Sequence, residues 1–155
     1  MNATTRPGLG SCNCLALRQA ARHVTQAYDL FLAPAGLRAT QYSILATLQA
    51  MRSTTINALA RMMVMDRTTL GRNLLPLQRE GLITVATGRE DRRSKELRLS
   101  DAGLARLAAA DEGWARAHRR FEERFGERRA GELRALLQGV VSTDLTATEE
   151  EASDA

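Results

Sequence analysis

No apolar run in this chain approaches the ~20 residues needed to span a bilayer. Its longest apolar stretches are broken by Arg or Gln every few positions. The segment from Met1 to Gly10 lacks the apolar core of a secretory leader. These two absences point away from a membrane protein and toward a cytoplasmic one. Cysteine is scarce, with Cys12 and Cys14 the only two. Two thiols do not make a disulfide framework, and a bridge between residues this close would be strained. Catalytic signatures are missing as well. The chain has no Ser/His/Asp set, no phosphate-binding loop and no glycine-rich dinucleotide turn, and its two histidines, His23 and His118, form no site. A C-x-C pair could hold a soft metal, but the further ligand cluster is absent. We therefore expect no metal, no cofactor and no enzyme. Thiol-peroxidase chemistry at Cys14 is the one enzymatic alternative with a residue behind it.

What is present suits a single helical domain. The chain has 155 residues, is 44% hydrophobic and carries a net charge of +4. Its acid is concentrated at one end. Residues 143–155 hold Asp144, Glu149, Glu150, Glu151 and Asp154 and no basic residue, so the remaining body is more basic than the total. A basic body permits an anionic partner. Residues 1–11 and 143–155 read as flexible tails.

Hydrophobic periodicity gives the element order. Leu17, Ala21, Val24, Tyr28 and Phe31 form one stripe of a helix over 12–33, ended by Pro34-Ala35-Gly36. Ile44, Leu45, Leu48 and Met51 mark a second helix over 40–51. Thr54 and Thr55 are N-cap candidates for a short third helix over 56–63. Asp66 caps a fourth over 67–80, and Gly81 closes it. The period then changes. Residues 82–87 and 95–99 read as two strands of a hairpin. Ser100 caps a long helix over 101–125, Gly126 breaks it, and a last helix covers 127–141 with Leu133, Leu136, Leu137, Val140 and Val141 on one side. The expected fold is mainly α with a small β wing.

The third and fourth helices, joined by a tight turn, fit a helix-turn-helix. The N-terminal residues of its second helix meet base edges in the major groove. Here those are Arg67, Thr68, Thr69, Arg72 and Asn73. Their chemistry is suitable: Arg pairs with guanine, Asn with adenine, and a Thr methyl packs on thymine. Gly71 permits close approach of the backbone. Leu70, Leu74 and Leu77 form the buried side. Pro76 lies inside this helix, removes the hydrogen bond to the Arg72 carbonyl and should kink it. The hairpin turn carries Arg89, Arg92 and Arg93, suited to the negative potential of a minor groove. Asp91 can fix the rotamer of Arg92 or Arg93 by a charge-assisted hydrogen bond. Read alone, such a turn is usually just solvated, and a dock for an acidic protein partner is the rival reading.

The run Asp66-Arg67-Thr68-Thr69-Leu70-Gly71-Arg72-Asn73-Leu74, then Leu77, Gly81-Leu82-Ile83, Asp91-Arg92-Arg93 and Leu99-Ser100-Asp101-Ala102-Gly103 resembles the signature of the MarR family. The likeness extends over about residues 12–142. It implies a winged helix-turn-helix DNA-binding domain over 37–100 and a helical dimerisation region from 12–33 and 101–142. It also implies a homodimer that binds a pseudo-palindromic operator in double-stranded DNA, usually as a repressor. Arg67, Thr68, Thr69 and Arg72 take the major-groove role. Asp91 and Arg93 match the wing pair, with Arg93 reaching the minor groove.

Apolar stripes on the first and last helices also favour a two-fold dimer. The signal is less defined. Family resemblance implies release from DNA by a small aromatic acid or by an oxidant. Arg18, Arg22 and Tyr42 are candidates to line an acid pocket. Cys14 and Tyr28 resemble the cysteine and first tyrosine of the family's organic-peroxide sensors, while Ala39 stands where their second tyrosine falls. The helix N-terminus and nearby Arg18 could lower a thiol pKa. Otherwise both cysteines are inert thiols.

Overall fold

The structure is a computed structural model that describes residues 8–87 and 95–146. After a 3₁₀ turn at Leu9–Ser11 come α1 (Asn13–Leu32), a second 3₁₀ turn (Ala33–Ala35) and α2 (Ala39–Met51). Then follow β1 (Thr54–Thr55), α3 (Ile56–Met62), α4 (Arg67–Arg79), β2 (Ile83–Thr87), β3 (Lys95–Leu99), α5 (Asp101–Phe125) and α6 (Glu127–Ser142). The chain divides into two compact units, Met1–Ala117 and His118–Ala155.

The first unit holds the main core. Leu32, Ile44, Leu45, Leu48, Leu59, Leu70, Leu77, Leu97 and Leu107 are buried in one cluster drawn from α1, α2, α3, α4, β3 and α5. Each helix contributes one face, as its 3.6-residue spacing requires. Gly36 turns the chain out of the 3₁₀ segment at φ 70, a left-handed conformation that suits glycine. α2 then starts with its Ala39 N–H donating to Asp29 Oδ1 of α1 at 2.7 Å.

The sheet corrects the sequence expectation of a two-stranded hairpin. It has three strands in the order β1-β3-β2, all antiparallel. Thr54 pairs with Leu97 and Thr55 with Glu96, while Ile83 faces Leu99 and Thr87 faces Lys95. Thr55 has two tasks. Its backbone belongs to β1, and its Oγ1 accepts from Ala58 N–H at 3.2 Å as the cap of α3. A two-residue strand is too short to show alternation, so only its capping half could be read. The helix α4 runs from Arg67 to Arg79 with Pro76 inside it. Pro76 has no N–H to offer the Arg72 carbonyl, so the ladder loses one bond in the last turns of the helix.

In the second unit, α6 starts at Gly126, whose φ is 98. Phe121 and Phe125 pack with ring centroids 5.3 Å apart, and the Arg129 guanidinium lies 4.4 Å from the Phe125 centroid. Glu122 accepts from Arg134 at 3.2 Å and meets His118 Nε2 at 3.3 Å. Leu136, Leu137, Val140 and Val141 of α6 are exposed.

Candidate nucleic-acid interface

The turn 63–66 joins α3 to α4, and Asp66 fixes the start of α4. Its Oδ1 accepts from Thr69 N–H at 2.9 Å and its Oδ2 from the Thr69 hydroxyl at 2.6 Å. These two bonds hold the Asp66 carboxyl below its ordinary pKa. The charge is thereby engaged by the helix end, where a carboxylate is favoured by the backbone dipoles.

Leu70, Leu74 and Leu77 bury one face of α4. Arg67, Thr68, Thr69 and Arg72 are all exposed, so the face left to solvent presents the side chains expected to read bases. Gly71 has open space where a Cβ would stand. Asn73 differs from the rest. It is half-buried, and its Nδ2 donates to Thr69 O one turn back at 2.9 Å. Its amide edge is therefore used inside the helix. Arg89, Asp91, Arg92 and Arg93 lie outside the described residues. The stem that carries them is described, and Thr84, Thr87, Lys95 and Arg98 are exposed on it.

The recognition helix and the wing share an anchor. Gly81 leaves α4 at φ 69. The Ser100 hydroxyl donates to Gly81 O at 2.6 Å, and Ser100 Oγ accepts from Gly103 N–H at 3.0 Å as the cap of α5. One side chain thus ties the end of α4 to the start of α5.

A basic, capped helix with one apolar face, followed by a three-stranded wing, is the arrangement on which known proteins can be compared. The MarR family profile matches residues 37–95. The transcriptional regulator MosR of M. tuberculosis, solved in complex with DNA, is 36% identical to this chain, with a TM-score of 0.73. That match covers 84% of this chain and 96% of MosR. The chain belongs to the MarR family. The transcriptional repressor CouR, bound to a DNA duplex, is 28% identical, with a TM-score of 0.76 over 85% of this chain and 94% of CouR. A probable transcriptional regulator from Pseudomonas aeruginosa is 26% identical, with a TM-score of 0.75 over 86% of this chain and 99% of that one. Among curated proteins, none matches the chain in sequence.

In this MarR chain the effector candidates stand in different surroundings. Arg18 and Arg22 are exposed on α1. Tyr42 donates to Asp111 Oδ1 at 3.0 Å, and its ring stacks on Trp114 at 5.8 Å. Burial first, and Asp111 second, push the Tyr42 pKa up to about 12. Tyr28 is half-buried against the core. A cavity of about 380 Å³ lies elsewhere, between α1, the start of α2 and α4. Asp29, Arg38, Gln41, Arg72, Asn73 and Pro76 are among its lining residues. Neither Arg18, Arg22 nor Tyr42 lines it. Arg38 and Asp29, which the sequence did not single out, face each other there at 3.6 Å. They sit on different helices, so no local pattern joins them.

The thiols differ from each other. Cys12 Sγ accepts from Leu15 N–H at 3.4 Å and caps α1, whereas Cys14 is exposed in the first turn. Cys14 is the redox candidate of the sequence, and Cys12, two residues earlier, is the cap. Among the described residues, no group of three or more His, Cys, Asp or Glu could hold a metal. No described helix is long and apolar enough to cross a membrane.

Proposed function

We propose that this MarR chain is a sequence-specific DNA-binding transcriptional regulator, acting in the cytoplasm as a homodimeric repressor. One observation carries the reading. The N-terminal half of α4 is capped by Asp66, seated by Leu70 and Leu74, and exposes Arg67, Thr68, Thr69 and Arg72 together. That is the presentation a helix needs to enter a major groove. Arg67 and Arg72 pair with base edges or phosphates, the Thr68 and Thr69 methyls meet thymine, and Arg93 on the wing reaches the minor groove with Asp91 steadying it. Dimerisation uses the apolar residues left exposed on α1 and α6, which a single chain leaves in water.

Release follows from the cavity beside α4. A small aromatic acid held between Arg38 and Arg72 draws Arg72 off the DNA. A second reading, thiol oxidation, is supported by Cys12. An organic peroxide that oxidises its sulfur to a sulfenic acid, and leaves as an alcohol, puts an S–O group on the atom that accepts from Leu15 N–H and changes the cap of α1.

The test is titration of purified protein against DNA at two salt concentrations. Affinity falling steeply with salt and preferring one sequence supports the regulator. Arg72→Ala should relax preference at one operator position, by about 1–3 kcal/mol of discrimination. Equal loss on all sequences would count against base reading, and salt-insensitive binding would favour a protein-docking module.

A further inference from the structure

Three of the five methionines, Met62, Met63 and Met65, lie at the turn that feeds α4. Their surroundings differ. Met62 ends α3 and is 57% exposed. Met63 and Met65 are half-buried and pack against the core. Met63 Sδ lies 3.6 Å from the Thr47 hydroxyl, which itself donates to Ser43 O at 2.8 Å. Between the two packed methionines stands Val64, 69% exposed and at φ 51. A β-branched residue in the left-handed region is strained and persists only where its surroundings hold it. Those surroundings are few. Val64 N–H donates to Arg61 O at 3.1 Å, Met65 N–H to Ala60 O at 2.9 Å, and the methionines pack on the core. The next residue is Asp66, the cap of α4.

We propose that this turn is a methionine-oxidation site whose modification unseats the start of α4. The reacting partner is a hypohalous acid such as hypochlorous acid. The thioether sulfur loses two electrons and gains one oxygen, and the oxidant leaves as chloride and a proton. The product is a polar sulfoxide. At Met62 it points into water. At Met63 or Met65 it puts a polar oxygen among core side chains, and its desolvation favours moving the side chain outward. The strained Val64 backbone then relaxes, and Asp66 and Thr69 move with it. The site is separate from the thiols at the start of α1. The inference rests on α4 being the helix that contacts DNA.

The test uses full-length protein carrying Cys12→Ser and Cys14→Ser, so that thiols play no part. The DNA is a duplex selected by this protein from a random-sequence library. After hypochlorous acid treatment, peptide mass mapping should find added oxygen at residues 63 and 65 as well as 62. DNA binding should weaken by about tenfold or more, and methionine sulfoxide reductases A and B together should restore it. Met63→Leu with Met65→Leu conserves volume and should keep binding through the treatment. Three results would overturn the proposal: unchanged binding with sulfoxides at 63 and 65, equal loss in the leucine variant, or oxidation confined to Met62. If untreated protein selects no duplex, the regulator reading fails on its own. Thermal melting then decides the site, since oxidation must lower the midpoint in the methionine protein and spare the leucine variant.

Discussion

Replacing Gly103 by alanine adds one methyl group where α5 crosses the backbone between α4 and β2. A Cβ there would stand 2.0 Å from Leu82 O, 3.0 Å from the Leu82 carbonyl carbon and 3.0 Å from Leu99 Cδ2. The Leu99 side chain can rotate away. The Leu82 carbonyl cannot, because its oxygen accepts from Ser100 N–H at 3.1 Å and Leu82 N–H donates to Leu77 O at 2.9 Å. Relief therefore requires α5 or the strand entry to shift by about 1 Å. Overpacking costs about 1–3 kcal/mol, occasionally more, and fixed backbone places this site at the upper end. Alanine returns about 1 kcal/mol of helix propensity. The net loss is about 2 kcal/mol, or about 4–8 °C in Tm for a chain of this size. The assay is thermal unfolding followed by circular dichroism at one fixed protein concentration, because any self-association makes the midpoint depend on concentration. A Gly103→Ala protein that melts at or above the parent would refute the packing argument.

Gly71→Ala is the counterpart, since a Cβ there meets open space. It should stabilise the fold by about 0.5–1 kcal/mol and yet weaken DNA binding; a more stable protein with unchanged affinity would remove close backbone approach from the mechanism. Tyr42 is one of two tyrosines, so in Tyr28→Phe the ultraviolet phenolate titration reports it alone. With its pKa raised to about 12, the stabilisation of the neutral phenol is complete below the ordinary tyrosine pKa of about 10 and lost toward 12. Titration at the ordinary value, or no change with Asp111→Asn, would contradict the hydrogen bond. The lowered pKa of Asp66 has the opposite sign. Its contribution is present above the unfolded carboxylate pKa of about 4 and fades as pH falls through the folded value. The melting difference between parent and Asp66→Asn should therefore shrink on acidification, and a constant difference would refute it.

Most of the fold was legible because its signals are local. Asp66, Ser100 and Thr55 are capping residues next to apolar periods, and all three caps form. Gly36, Gly81 and Gly126 were read as stops, and each adopts positive φ. The exposed face of α4 was legible for the same reason, as one side of a single helix. What was missed depends on contacts between segments far apart in sequence. Strand β1 exists through its pairing with β3. The cavity brings Asp29, Arg38 and Arg72 together from three helices. Asn73 was assigned to adenine from its chemistry, and its bond to Thr69 O shows how a helix can satisfy the same amide internally.

The same contacts predict that DNA reading depends on residues outside the exposed face of α4. Helix α4 has one fixed face and two fixed ends. Its start is set by Asp66 and Thr69, and its end by Gly81, whose carbonyl accepts from Ser100 at 2.6 Å. Ser100 also caps α5, and Leu82, one residue past Gly81, packs against Gly103 of α5. Leu82 leads directly into Ile83 of β2, and Ile83 pairs with Leu99 of β3. The base of the wing and the end of the recognition helix therefore share the start of α5 as their support. Displacing that support should move α4 and the wing stem together, whereas displacing the turn at Val64 should move the start of α4 alone. Gly103→Ala should thus weaken contacts in both grooves, and its loss of affinity should exceed what its Arg72→Ala counterpart shows on non-preferred DNA. Loss restricted to major-groove positions would mean that the wing is held independently of α5.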